Sequence, residues 1–282
     1  DLGGTSKTMP TFQFTIDNTA PTATSIEIDA GALYTNDPNR EVDLTTLSAT
    51  EDSYSDVTQM KILEDNNPGD GINWNSVAWE TYSTTKSAFA LSTGDETKTV
   101  HTNFTNLVGL TTSTSDDIAL DLTGPTVTKD TETPAESTWT TDYTIDITWT
   151  GNDPTSGVDK FNYVFTDKAA LVAGTDIDAN NKITLTDHIE VEETTTSIAD
   201  QDISALVANG QAKTIYFYIQ AKDNAGNWGT PTQYTFKIDR QAPVISDSAP
   251  TSTVSDLSEI TTELKDCVTA GDSAGVDLAT ID

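Results

Sequence analysis

Five oxygen-bearing side chains carry the clearest chemistry in the sequence: Asp121, Asp153, Asp159, Asp223 and Asn224. They lie in three short stretches, 118-IALDLTGPT-126, 151-GNDPTSGVDK-160 and 221-AKDNAGNWG-229. Each adjoins an alternating, strand-like run. In a sandwich of antiparallel strands, alternate strand ends meet. The loop after the second strand, the loop before the last strand and the incoming linker then share one end. Carboxylates and amides gathered there are hard oxygen donors, and calcium takes six to eight of these at about 2.3–2.6 Å. The same residues are also ordinary turn formers, because Asp and Asn bond their own backbone and tolerate left-handed geometry. Composition leaves both readings open. Near the start of the chain Asp17, Asp52 and Asp56 are the comparable acids, and Asn106 stands where the later loop has an acid.

A second candidate is 176-DIDANNKITLTD-187, whose spacing resembles an EF-hand or dockerin-type calcium loop. Asp176, Asp178 and Asn180 fall at loop positions 1, 3 and 5. Asn181 takes the place of the turning glycine, the Lys182 carbonyl falls at position 7, and Asp187 closes the loop at position 12. Ile183 is the apolar anchor. The competing reading is a polar β-turn around 178-DANNK-182 joining two strands. The stretch 65-DNNPGDG-71 is a poorer version and reads as a turn.

Other chemistry finds little support. Net charge is −31, from 14 basic and 45 acidic residues. Phosphate recognition needs clusters of Lys and Arg, so nucleic acid is excluded as an ordinary partner. An anionic membrane surface is disfavoured for the same reason. So large a charge repels itself, and divalent cations or high salt relieve it. His101 and His188 are the only histidines, and Cys267 the only cysteine. Their spacing gives neither a zinc set nor a nucleophile–base pair. No glycine-rich loop leads into a lysine and a helix. The expectation is a protein that is not an enzyme. Trp74, Trp79 and Tyr82 suit either a sugar-stacking surface or the packing of a sandwich, and packing is the expected use. The sequon 103-NFT-105 makes Asn103 a candidate glycan site in an extracellular protein, unless it lies in a paired strand.

The elements that must position these groups are strands. Ile145, Ile147 and Trp149 alternate with polar residues in 143-YTIDITW-149. In 214-TIYFYIQAK-222, Ile215, Phe217, Ile219 and Ala221 share one face, and Tyr216, Tyr218, Gln220 and Lys222 are expected to face the other way, toward water. The runs 57-VTQMKIL-63 and 98-KTVHTNF-104 repeat the pattern. This periodicity argues against disorder, although hydrophobic residues make up only 35%. Helix candidates are limited to a turn or two in 167-DKAALVAG-174 and 203-ISALVANG-210. No apolar run reaches the roughly 18–20 residues of a membrane span.

Three segments repeat: 14-FTIDNTAPT-22, 118-IALDLTGPT-126 and 236-FKIDRQAPV-244. Their prolines, Pro21, Pro125 and Pro243, are 104 and 118 residues apart, the length of an all-β sandwich. Proline fixes φ and ends ladder pairing, which suits a stiff junction. The chain divides into residues 1–19, the last strand of a preceding domain; 20–123 and 124–241, two complete domains, the second with an inserted acidic loop; and 242–282, a partial domain. With DLGG at its start and no visible signal peptide, it reads as a mature form or a piece of something longer.

The first domain contains 59-QMKIL-63, 79-WETY-82, 89-FALSTGDETKTVHTNF-104 and 115-SDDIALDLTGP-125. The second contains 153-DPTSGVDKFNYVF-165, 221-AKDNAGNWG-229 and 238-IDRQAP-243, and 272-DSAGVDLATI-281 looks like the early loop of a third. These stretches resemble the Ig-like repeats of large bacterial and archaeal surface proteins. In that family a strand entered by a Gly-Asp-Gly-x-Lys-like turn ends in Asp-x-Ala-Gly-Asn, and the module closes on Asp-x-Thr-x-Pro. The first domain departs from this with 106-NLVGL-110 and with an early loop, 51-EDSYSDV-57, that has no glycine. The resemblance implies an all-β fold of tandem immunoglobulin-like sandwiches. It implies a non-catalytic structural segment of a prokaryotic extracellular surface protein, an adhesin stalk or a surface layer, stiffened by calcium. Implied partners are neighbouring domains, further copies and a cell-surface or host ligand, with no membrane insertion. The other classes are an accessory module of a secreted carbohydrate-active enzyme and an isolated ligand-binding protein. The first would show an exposed row of Trp74, Trp79 and Tyr82, the second a deep apolar pocket.

Overall fold

The computed structural model describes residues 11–65, 71–185 and 189–242, with the backbone alone for 189–193. The chain forms two units, Asp1–Leu122 and Thr123–Asp282. The expected third domain, with Cys267, lies almost wholly outside the described residues, as do Asp187 and His188.

In the first unit the strands are β1 (Thr22–Ile28), β2 (Tyr34–Thr35), β3 (Glu41–Thr50), β4 (Val57–Asp65), β5 (Glu80–Thr81), β6 (Lys86–Ala90), β7 (Glu96–Asn106) and β8 (Thr111–Leu120). They form a three-stranded sheet, β1-β3-β6, and a five-stranded sheet, β2-β8-β7-β4-β5. Pairing is antiparallel except between β2 and β8, where Tyr34 and Thr35 run parallel to Ala119 and Leu120. Alternation selects the core. Ile26, Ile28, Val42, Leu44 and Leu47 of one sheet pack on Met60, Ile62, Val100, Phe104, Ile118 and Leu120 of the other. Each such side chain contributes about 1.5–3 kcal/mol relative to exposure.

The second unit repeats this plan strand for strand. Its elements are β9 (Thr126–Thr133), β10 (Trp139–Thr140), β11 (Thr144–Asn152), β12 (Val158–Thr166), β13 (Ile189–Glu193), β14 (Ser197–Asp202), β15 (Ala212–Asp223) and β16 (Thr232–Asp239). The sheets are β9-β11-β14 and β10-β16-β15-β12-β13, the orders of the first unit with each strand counted eight later. The one parallel pair again joins the short second strand to the last, through Trp139 opposite Lys237. Each unit is therefore an immunoglobulin-like β-sandwich. The core of the second is more aromatic: Trp149 meets Phe161 at 5.8 Å and Tyr163 at 5.6 Å, both edge to face.

One expectation fails on β15. Tyr218 and Gln220 do not face water but are buried. The segment 167–185 folds over the outer face of the sheet and packs Ile183 and Leu185 against Val164 and Tyr218. Gln220 ties the cover down: its Oε1 accepts from the Ile183 N–H at 2.5 Å, and its Nε2 donates to the Asn181 carbonyl at 2.7 Å. Asn162 Nδ2 adds a bond to the Ile183 carbonyl at 3.0 Å. The two helix candidates are turns instead, each too short for a helix to nucleate and propagate. In the second, Ile203 and Val207 plug the core. The only helix among the described residues is a single 3-10 turn, Trp74–Ser76.

Residues 11–21 form no regular secondary structure. Phe14 and Ile16 are 87% and 83% exposed, whereas the matching residues of the repeat, Ile118 and Leu120, Phe236 and Ile238, are buried at 1% or less.

Candidate functional site

The loop after β15 is built by its first residue. The Asp223 N–H donates to the Asn227 carbonyl at 3.1 Å, and the Gly226 N–H to the Asp223 carbonyl at 3.3 Å. Asp223 Oδ1 accepts from the N–H groups of Gly226 and Asn227 at 2.6 and 2.7 Å, and Oδ2 accepts from Asn227 Nδ2 at 2.8 Å. Gly226 supplies the positive φ, 110°, that closes the turn. Farther on, the chain after Trp228 passes so close to the Pro125 carbonyl that a Cβ at Gly229 would overlap it.

The loop after β11 is also organised by an aspartate. Asp153 Oδ1 accepts from the N–H groups of Thr155, Ser156 and Gly157 at 3.1, 2.8 and 2.9 Å. Asn224 latches the two loops together, with Nδ2 on the Ser156 carbonyl at 2.7 Å and its N–H on the Gly157 carbonyl at 3.0 Å. Asp153 and Asp223 thereby come within 4.8 Å of each other through carboxylate oxygens. Asp159 is not part of this approach; it sits exposed at a bulge of β12. Asn224 acts as an amide donor. Asp121, buried at the end of the first unit, donates its N–H to the Thr35 carbonyl at 3.0 Å.

The first unit has the same loop with different residues. In 106-NLVGL-110 the Asn106 N–H donates to the Leu110 carbonyl at 3.1 Å, and the Gly109 N–H to the Asn106 carbonyl at 3.2 Å. Asn106 Oδ1 accepts from the Leu110 N–H at 2.9 Å, as Asp223 does from Asn227. Its Nδ2 donates to Asp17 Oδ2 and to the Thr19 carbonyl, both at 3.1 Å. Ser55 Oγ donates to the same Asp17 oxygen at 2.5 Å, and the Thr19 N–H to Asp17 Oδ1 at 3.0 Å. The Ser55 hydroxyl first, and then the Thr19 N–H, hold the Asp17 carboxyl below the usual carboxylate range. Glu51 is the residue that the sequence reading missed. Thr50 pairs with Thr22 as Asn152 pairs with Thr126, so Glu51 is the register counterpart of Asp153. The carboxylates of Asp17, Glu51 and Asp52 lie within 4.8 Å of one another.

The 176–187 stretch places its ligand candidates otherwise. Asp176 is buried, with Oδ1 paired to Lys168 Nζ at 2.6 Å and Oδ2 accepting from the Val172 N–H at 2.9 Å. Asp178 Oδ1 accepts from the N–H groups of Asn180 and Lys182, both at 2.8 Å, around Asn181 at φ 66°. This is the capped turn of the competing reading. Both carboxylates have internal partners, and Lys168 already neutralises the first. The segment's structural role is to cover the outer sheet face through Ile183.

Asn103 is 8% exposed in the middle of β7, paired on both sides, so the folded unit leaves no room for a glycan there. Tyr82 packs edge to face on Phe104 at 5.8 Å and donates its hydroxyl to the Leu47 carbonyl at 3.2 Å. With Tyr82 turned inward, no exposed row of Trp74, Trp79 and Tyr82 exists. Trp79, 37% exposed, instead has Lys61 Nζ over its ring at 4.7 Å.

No protein-family model matches the chain, and no curated protein sequence matches it. Among solved structures, it is similar to fibronectin(III)-like modules of Clostridium thermocellum CbhA, at 13% identity over 76% of this chain and 94% of that one, with a TM-score of 0.29. It is also similar to a tetra-tandem repeat in the extending region of a large adhesion protein, at 18% identity over 80% of this chain and 51% of that one, with a TM-score of 0.32. Murine CEACAM1b gives 11% identity over 78% and 98%, with a TM-score of 0.31. The immunoglobulin-like assignment rests on strand order and not on these likenesses.

Proposed function

We propose that the chain is a non-catalytic structural segment of a tandem array of immunoglobulin-like modules on the outside of a prokaryotic cell, as in an adhesin stalk or surface layer. One observation carries the array: an eight-strand plan occurs twice, and the sequence pattern of its closing strand occurs a third time in Phe12–Asp17. Phe14 and Ile16 repeat the apolar positions that both units bury, yet they stand in water. Such a segment is the last strand of a further module, paired to a strand of the β7 type. The acidic surface and the absence of paired cysteines suit a cation-rich exterior in which ions stand in for disulfides. In the second unit, a calcium ion beside Asp153 and Asp223 offsets the repulsion of those two carboxylates.

Hydrogen exchange tests the array. With about 100 upstream residues of the gene restored, a module's length, the amides of Phe12, Phe14 and Ile16 are expected to change from unprotected to strongly protected. Amides that stay unprotected in the longer chain remove the array reading.

A further inference from the structure

Three large apolar side chains stand in water at the end of the first unit where the 11–21 segment arrives: Tyr54, Leu107 and Val108, exposed by 65%, 74% and 54%. Single exposed apolar residues are ordinary, whereas a group of them in one place marks a contact surface. Asp17 shows that these three are grouped. Ser55 Oγ and Asn106 Nδ2 donate to the same oxygen of Asp17, at 2.5 and 3.1 Å. Tyr54 precedes Ser55, and Leu107 and Val108 follow Asn106. The second unit builds the same end with polar and small residues. Asn224 and Ala225 stand at the places of Leu107 and Val108, and 153-DPTSG-157 has no counterpart of Tyr54. Asn224 Nδ2 latches the Ser156 carbonyl at 2.7 Å. A leucine side chain has no such bond to make, and Leu107 finds no cover within its own unit.

The path of the chain determines what lies beside them. Phe14 and Ile16 hold the apolar positions of a closing strand, and Asp17 follows Ile16 directly. Neighbouring Cα atoms are about 3.8 Å apart. The last core residue of the module that this strand closes is therefore one peptide unit from a residue clamped by Ser55 and Asn106. The Thr19 carbonyl, accepting from Asn106 Nδ2 at 3.1 Å, fixes the segment at a second point. With no slack in the connection, that module rests on the end of the first unit that bears Tyr54, Leu107 and Val108.

We propose that Tyr54, Leu107 and Val108 form the docking surface for the preceding module of the same chain, the one closed by Phe12–Ile16, and that their burial makes this joint rigid. The inference rests on the array reading and names the partner of this end of the unit. Domains of one chain move relative to one another by default, unless a hydrophobic interface holds them. With a net charge of −31, acidic modules repel at close approach. Apolar burial holds them together where charge pairing does not.

The test compares the 282-residue chain, the chain with about 100 upstream residues of the gene restored, and the longer chain carrying Leu107→Asn with Val108→Ala. That variant places the second unit's own residues on a loop with the same backbone bonds, so it is expected to fold. A soluble paramagnetic probe reads the exposure of the Leu107 and Val108 methyls by NMR, and relaxation reads whether the modules tumble as one body. The methyls are expected to be bleached in the 282-residue chain and shielded in the longer one. The common tumbling of the preceding module and the first unit is expected to be lost in the variant. Protected amides at Phe12, Phe14 and Ile16 with methyls that stay bleached would overturn the proposal and leave the array standing. A variant that tumbles as its parent does would have the same meaning. Unprotected amides would remove the array and the docking surface together. Methyls shielded in the 282-residue chain as its concentration rises would assign the surface to a second copy, which also overturns the proposal.

Discussion

The loops 106-NLVGL-110 and 223-DNAGN-227 are identical at one position in five, yet they close with the same backbone bonds. What they share is a glycine at the fourth place with φ of 90° and 110°, and a side-chain oxygen at the first place that accepts from the fifth N–H. Asn and Asp offer that oxygen equally well. Shape and charge are therefore separate choices in this loop. Where the first residue is Asp223, a carboxylate is left beside Asp153. Where it is Asn106, the remaining amide hydrogens reach across to Asp17 and Thr19, and a neutral group makes the link.

The largest effect that tests this separation is Asp223→Ala. It removes the acceptor for two half-buried N–H groups and an amide, and should cost the second unit about 2 kcal/mol or more, read from exchange of core amides in β15 and β16. Asp223→Asn keeps the Oδ1 acceptor and should cost about 1 kcal/mol in EDTA. Equal costs for the two variants would mean that charge, not the acceptor, holds the loop. Next come Gly109→Ala and Gly226→Ala. A side chain at positive φ costs about 1 kcal/mol, and the two losses should match because the conformations match. A clear mismatch would break the equivalence. The smallest effect is with pH. The folded-state pKa of Asp17 is lowered, so its contribution is fully present above the unfolded value and is lost as pH falls through the folded one. Acid titration of the first unit should show this loss, and Ser55→Ala should diminish it. An identical acid profile in that variant would show that the hydroxyl does not set the Asp17 carboxyl.

Much of this was legible in the residues. Alternation in 143-YTIDITW-149 and 57-VTQMKIL-63 gives strand and core face together, because burial acts with the two-residue period of the pleat. The Asp-to-Pro segments give the repeat. The loop at 106 looked like a departure because its letters differ, although Gly109 carried the signal that mattered. Glu51 was hidden for another reason: only the pairing of Thr50 with Thr22 aligns it with Asp153, and register is a tertiary property. The outer face of β15 misled because Tyr218 and Gln220 read as solvent-facing. Their burial depends on a cover, 167–185, that is remote in sequence. Likewise the spacing of Asp176 and Asp178 suits a calcium loop, but spacing does not show that Lys168 has reached Asp176 first.

The parallel pairing of the short second strand with the last one bears on tension. In each unit the chain enters ahead of that short strand and leaves beyond the end of its partner. A pull on the two ends therefore drags the two strands in opposite directions along a common axis. The bonds joining Tyr34 and Thr35 to the Ala119–Leu120 strand, and those joining Trp139 and Thr140 to the Lys237–Ile238 strand, are loaded together in shear. They are not peeled one at a time, as an antiparallel hairpin pulled from its open end would be. A two-residue strand thus lies on the path by which tension crosses each unit.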